Sequence, residues 1–205
     1  MLFRSQNNEG AAFVYHGSAS GVNTAAAVTL ESNQADANLG YSVAGAGDVN
    51  GDGYSDVIVG APFFDKGQTD EGAAFVYHGS ASGVNPIAAV TLEQNQALAQ
   101  LGASVAGAGD VNGDGYGDVI VGAPNGQFFG GVAFVYHGGA SGVDTTADAQ
   151  LESNQAFAQL GASVAGAGDV NGDGYGDVIV GAPQQFPVSK KGAEQRGVEL
   201  GSYCA

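Results

Sequence analysis

The chain contains no tryptophan, one cysteine and only five lysine and arginine residues among 205. Cys204 has no second cysteine to pair with, so an internal disulfide is excluded and the sequence leaves the redox compartment undefined. Against those five bases stand 21 aspartate and glutamate residues, for a formal charge of −16. Such a surface repels phosphate backbones and anionic lipid, so neither nucleic acid nor a membrane is an expected partner. No apolar run approaches the roughly 18 residues that a membrane-spanning helix needs. The opening residues, Met1 to Asn8, lack the apolar core of a secretory leader. An exported form would therefore carry its signal upstream or use another route. A nucleophile with a base and an orienting acid is not legible either, and no enzyme activity is expected.

Glycine and repetition are what the chain has in abundance. The 36 glycines recur at fixed places rather than in low-complexity tracts, and 44% of residues are hydrophobic, so a turn-rich globular fold is expected rather than disorder. Gly-Ala-Ala-Phe-Val-Tyr-His-Gly begins at Gly10 and Gly72 and returns as Gly-Val-Ala-Phe-Val-Tyr-His-Gly at Gly131, at spacings of 62 and 59 residues. Internal repeats of that length indicate an array of similar supersecondary units.

The most informative repeat is a nine-residue acidic loop: Asp48-Val-Asn50-Gly-Asp52-Gly-Tyr54-Ser-Asp56, then Asp110 to Asp118, then Asp169 to Asp177. Nine of the 21 acidic residues lie in these loops. Side-chain oxygens at positions 1, 3, 5 and 9, a backbone carbonyl at 7 and a turn glycine at 6 are the hard ligands and the geometry that Ca²⁺ prefers. Candidate ligands are Asp48, Asn50, Asp52, Tyr54 and Asp56; Asp110, Asn112, Asp114, Tyr116 and Asp118; and Asp169, Asn171, Asp173, Tyr175 and Asp177, giving three Ca²⁺ per chain. Asp-Gly and Asn-Gly pairs also mark plain hairpin turns, but three carboxylates in nine residues, three times over, favour the cation. A helix-loop-helix calcium hand would end on a bidentate Glu at position 12, where this chain has Val59, Val121 and Val180. A β-branched run and Gly-Ala-Pro follow each loop, so it joins strands.

Each period holds four short strands: Ser-Val-Ala-Gly-Ala-Gly before the loop, Asp-Val-Ile-Val-Gly after it, Ala-Phe-Val-Tyr-His, and a weaker strand ending near Leu92 or Leu151. Four antiparallel strands per period predict an all-β propeller of four-stranded blades. Small residues in the first strand suit a crowded axis, and Phe75, Tyr77 and their equivalents suit packing between blades. A helical turn is expected over Asn95 to Leu101. The unit Leu-Gly-x-Ser-Val-Ala-Gly-Ala-Gly-Asp-Val-Asn-Gly-Asp-Gly-Tyr-x-Asp-Val-Ile-Val-Gly-Ala-Pro resembles the FG-GAP repeat of integrin alpha-subunit propellers and their bacterial relatives. The likeness covers about residues 10 to 183. It implies calcium at the same loop positions and a binding or adhesion scaffold outside the cell or on its surface. The Phe-Gly of the family name is replaced by Leu39-Gly40, Leu101-Gly102 and Leu160-Gly161. Propellers of this type have seven blades, whereas this chain holds three blade equivalents, two whole and two half.

Residues 1–9 read as a lead, 10–183 as the propeller and 184–205 as a mobile tail that carries Lys190, Lys191 and Arg196. The two half blades predict a homodimer that closes a six-bladed ring; the competing reading is a fragment of a longer propeller. A lectin-like propeller with Tyr15, Tyr77 and Tyr136 stacking on sugars stays open, as does a truncated or artificial self-assembling fragment with no ligand of its own. His16, His78 and His137 share one repeat position and read as structural residues.

Overall fold

The structure, a computed structural model, describes residues 7–126 and 130–184. β1 (Ala12–Val14) and β4 (Val28–Leu30) form a two-stranded sheet, with the small hairpin β2 (Gly17–Ser18) and β3 (Gly21–Val22) between them. Two four-stranded antiparallel sheets follow in up-and-down order. The first is β5 (Ser42–Gly47), β6 (Asp56–Ala61), β7 (Ala73–Tyr77) and β8 (Val90–Leu92). The second is β9 (Ser104–Gly109), β10 (Asp118–Ala123), β11 (Val132–Tyr136) and β12 (Ala149–Glu152). β13 (Ser163–Gly168) and β14 (Asp177–Gly181) form a last two-stranded sheet. The four strands per period predicted from the repeat are all present, and the sheets are propeller blades.

The position of each strand follows from its residues. β7 and β11, rich in β-branched and aromatic side chains, are buried along their whole length, as strands inside a stacked array must be. The first strands face one another: β9 packs against both β5 and β13. Only glycine permits that approach, because a Cβ at Gly107 would lie 2.8 Å from Gly45 O and one at Gly166 would lie 2.6 Å from Gly107 O. Between blades the core is apolar and shared. Tyr136 of the second blade packs in one cluster with Val49, Ile58 and Leu92 of the first, and Tyr77 packs with Leu30 and Leu39 of the preceding repeat. Each of these buried side chains contributes about 2 kcal/mol through area removed from water, and none could be buried by one blade alone.

The expected helical turn at Asn95 to Leu101 is not formed. Asn95, Leu98 and Gln100 have φ of 51°, 63° and 56°, in the left-handed region. Ala99 N–H closes a single turn onto Gln96 O at 3.2 Å, but the other backbone bonds leave the segment: Leu98, Gln100 and Leu101 N–H groups donate to Thr69, Asp70 and Glu71 carbonyls at 2.8, 3.2 and 2.9 Å. Ala99 and Leu101 are buried on alternate residues, and the segment lies against the loop that precedes β7 rather than coiling as a helix. The tail predicted to be mobile lies, beyond Gln184, outside the described residues.

Candidate metal centre

Each acidic loop leaves the first strand of a blade through a β-bulge. Pairing slips between Gly45 and Gly47, between Asp118 and Val119, and between Gly166 and Gly168, leaving one alanine unpaired beside each loop. Gly47, Gly109 and Gly168 carry the positive φ of 82°, 81° and 70° that this bulge demands. The Gly-Ala-Gly before each loop is its sequence signal, a feature the strand pattern alone does not reveal. Within the loop, the turn glycine at position 6 is left-handed in all three copies, with φ of 88° at Gly53, 91° at Gly115 and 94° at Gly174.

The carboxylates organise this turn. Asp48 Oδ1 accepts the N–H groups of Gly51 and Asp52 at 2.7 and 3.1 Å, and its Oδ2 accepts that of Gly53 at 2.8 Å. Asn50 Oδ1 accepts Asp52 N–H at 3.0 Å, and Asp52 Oδ1 accepts Tyr54 N–H at 2.9 Å. The loops that begin at Asp110 and Asp169 repeat these bonds within 0.1 Å of each other. At two of these carboxylates the hydrogen bonds favour the charged form. The backbone donor at Tyr116, helped by Asn112, keeps the Asp114 carboxyl below the usual carboxylate range. The Gly174 and other backbone donors do the same for Asp169.

Position 9 behaves differently. Asp56 is fully buried, and its two oxygens accept Val49 N–H across the loop and Gly79 N–H at the end of the third strand, at 2.8 and 2.7 Å. Asp118 repeats this with Val111 and Gly138 at 2.7 and 2.8 Å. Burial pushes the Asp118 carboxyl up, against the two backbone donors that pull it down. This residue is thus a clasp between loop, second strand and third strand as well as a candidate ligand.

Position 7 was singled out only for its carbonyl, yet its ring also has a part. A Cβ on Gly51 would lie 2.6 Å from the Tyr116 ring, and one on Gly113 would lie 2.7 Å from that of Tyr175, so each tyrosine covers the preceding loop's glycine. Gly117 and Gly176 N–H groups donate to the Asp48 and Asp110 carbonyls of the preceding loops at 2.8 and 2.7 Å. The three loops are therefore linked in series, each to the one before it. No cue in a single loop reveals that, since it depends on the next repeat.

All fifteen predicted residues lie in these loops. Among the described residues, no three or more His, Cys, Asp or Glu side chains are gathered on a single point. The donor set still fits Ca²⁺ by type: every candidate is an oxygen, and carboxylate oxygens that accept N–H bonds keep further lone pairs. The histidines do not converge: His16 lies against Gly83 and His78 against Gly142, each bridging to the next repeat, while His137 Nδ1 lies 3.4 Å from Asp148 Oδ1. The sugar-stacking expectation is corrected for two of its three tyrosines: Tyr77 and Tyr136 are 1% and 0% exposed, with Tyr136 Oη accepting Gln94 Nε2–H at 2.7 Å, so they offer no face to a ligand, whereas Tyr15 is 48% exposed. Among the described residues, no helix is long and apolar enough to cross a membrane.

Comparison with known proteins agrees with the geometry. The FG-GAP repeat family matches residues 39–77, 101–136 and 160–196. The chain is 36% identical over 172 residues to integrin alpha-V of Gallus gallus, covering 79% of this chain and 16% of that protein. It is 37% identical over 161 residues to integrin alpha-7 of Homo sapiens and 35% over 150 residues to integrin alpha-6 of Gallus gallus, covering 76% and 71% of this chain and 13% of each relative. The chain thus spans only a small part of the length of the relatives it matches.

Proposed function

Because this chain belongs to the FG-GAP repeat family, we propose that it is a calcium-binding β-propeller segment serving as an extracellular or cell-surface scaffold for protein interaction or adhesion. Each acidic loop takes one Ca²⁺, three per chain, through the side chains at positions 1, 3, 5 and 9 and the carbonyl of Tyr54, Tyr116 or Tyr175. The observation that carries this reading is the loop itself: one oxygen-only donor set, repeated three times in one conformation, with hydrogen bonds that favour the ionised form at Asp114 and Asp169. When bound, the cation supplies positive charge where three carboxylates repel one another. Three ions would return six positive charges and bring the chain from −16 to about −10. The chain's own groups do the rest: the position 6 glycine sets the turn, the clasps of Asp56 and Asp118 anchor the first two loops to their third strands, and the rings of Tyr116 and Tyr175 tie the second and third loops to the loop before.

Equilibrium dialysis against radioactive calcium tests the assignment. Saturation at three ions per chain is expected, with dissociation constants of about 10⁻⁴ to 10⁻³ M. Asp52→Asn, Asp114→Asn and Asp173→Asn should each weaken one site. An absence of saturable binding at millimolar calcium would overturn the reading.

A further inference from the structure

Repeated residues provide an internal reference, because one side chain recurs in several structural surroundings. Ile58 and Ile120 are both 0% exposed, yet Ile179 is 62% exposed. Phe75 and Phe134 are 7% and 5% exposed, whereas Phe13 is 56% exposed; Val105 and Val164 are 7% and 9%, whereas Val43 is 61%. The exposed members lie on two faces, one built by β13 and β14 and the other by β1 and β5. Everywhere between these faces, the same residues are covered by the neighbouring repeat.

What each face lacks, the other holds. Among the described residues the outer edge of β14 has no strand partner, and neither does the edge of β1 opposite β4. In the complete blade, Val57 to Ala61 pair with Tyr77 to Ala73. The same register pairs Val178 with Tyr15, Ile179 with Val14 and Val180 with Phe13. Asp56 and Asp118 each take a second backbone donor, from Gly79 and Gly138, whereas among the described residues Asp177 accepts from Val170 N–H at 2.8 Å and has no counterpart to that second donor. The matching donor is Gly17. Its equivalents need glycine because a Cβ there would lie 2.3 Å from Ser55 O or 2.2 Å from Gly117 O, while a Cβ at Gly17 would meet nothing within 4 Å.

We propose that a second copy of this chain fills these positions, head to tail: β1 of one copy pairs with β14 of the other, and the Gly17 N–H of that copy completes the Asp177 clasp. The third acidic loop is then finished only in the assembly. Such an interface repeats the contacts already made between successive blades, and two copies supply six blades, within the four to eight of closed propellers. This docking rests on the blade geometry and not on the calcium assignment.

Light scattering of the full chain, in calcium and again in chelator, should give twice the 20.2 kDa of one chain at micromolar concentration in calcium. A monomer at every concentration tested overturns the proposal. The register is tested in a Cys204→Ser background by Val14→Cys with Ile179→Cys, residues whose Cβ atoms would lie within disulfide reach. Mild oxidation should give a species of two chains, with unchanged circular dichroism and half or more of the protein cross-linked. A cross-link within one chain, or none in the dimer fraction, overturns it, since the first means that a chain closes on itself and the second that other surfaces meet.

Discussion

The loops at 110–118 and 169–177 have the same nine residues but different surroundings. Inside the loops nothing differs: the first aspartate accepts three backbone N–H groups at 2.6, 3.1 and 2.8 Å in one and at 2.6, 3.1 and 2.9 Å in the other. Outside, Asp118 is wholly buried and held by two strands, whereas Asp177 is only half-buried at a sheet edge. Turn geometry thus belongs to the nonapeptide, and the loop's anchorage belongs to its neighbours. A propeller blade is a local fold whose stability is borrowed from the next blade.

The strongest way to break the comparison is at the glycine that lets blades approach. A Cβ at Gly122 would lie 2.0 Å from Gly161 O, while one at Gly181, the same repeat position, would meet nothing closer than 3.5 Å. Gly122→Ala should therefore cost at least about 4 kcal/mol, or prevent folding, and Gly181→Ala under about 1 kcal/mol in the single chain. Urea titration of both variants checks this. Near-equal losses would contradict the difference between inner and outer blades.

A smaller contrast is expected at the clasp. Asp118→Asn turns an amide toward one of two buried backbone donors and should cost on the order of 2 to 3 kcal/mol, whereas Asp177→Asn should cost about 1 kcal/mol. If the head-to-tail dimer forms, the two values should converge at high protein concentration and separate on dilution. That concentration dependence sharpens the comparison further.

The tyrosines of the third strands give the smallest effect. Burial raises the Tyr77 and Tyr136 phenols to about 12, with the Gln94 hydrogen bond working the other way at Tyr136. The unfolded chain loses these protons near pH 10, before the folded chain does, so stability should fall as pH rises from about 10 to about 12. Each tyrosine contributes on the order of 1 to 2 kcal/mol to that fall. Tyr77→Phe should flatten the alkaline limb of a melting-temperature profile while leaving the plateau below pH 9 nearly unchanged.

Much of this was legible in the residues themselves. Val-Ile-Val and Phe-Val-Tyr mark their own strands, and the loops declare their ligands by spacing. Less visible was whatever depends on a neighbour: the Gln100 and Leu101 N–H groups are drawn to the Asp70 and Glu71 carbonyls instead of closing a helical turn. The tyrosine rings at position 7 and the buried clasp at position 9 were missed for the same reason, since each is defined by an atom one strand or one repeat away. Tyr77 and Tyr136 looked available to a sugar because burial between blades leaves no mark on a single strand.

Thermal melting with calcium against chelator tests the central claim most directly. At 5 mM calcium, sites with dissociation constants near 0.5 mM should add roughly 1.4 kcal/mol each, and three of them should raise the melting temperature by about 10 °C. Asp52, Asp114 and Asp173 replaced together by Asn should abolish that shift. A melting temperature that is the same in calcium and in chelator would contradict the account.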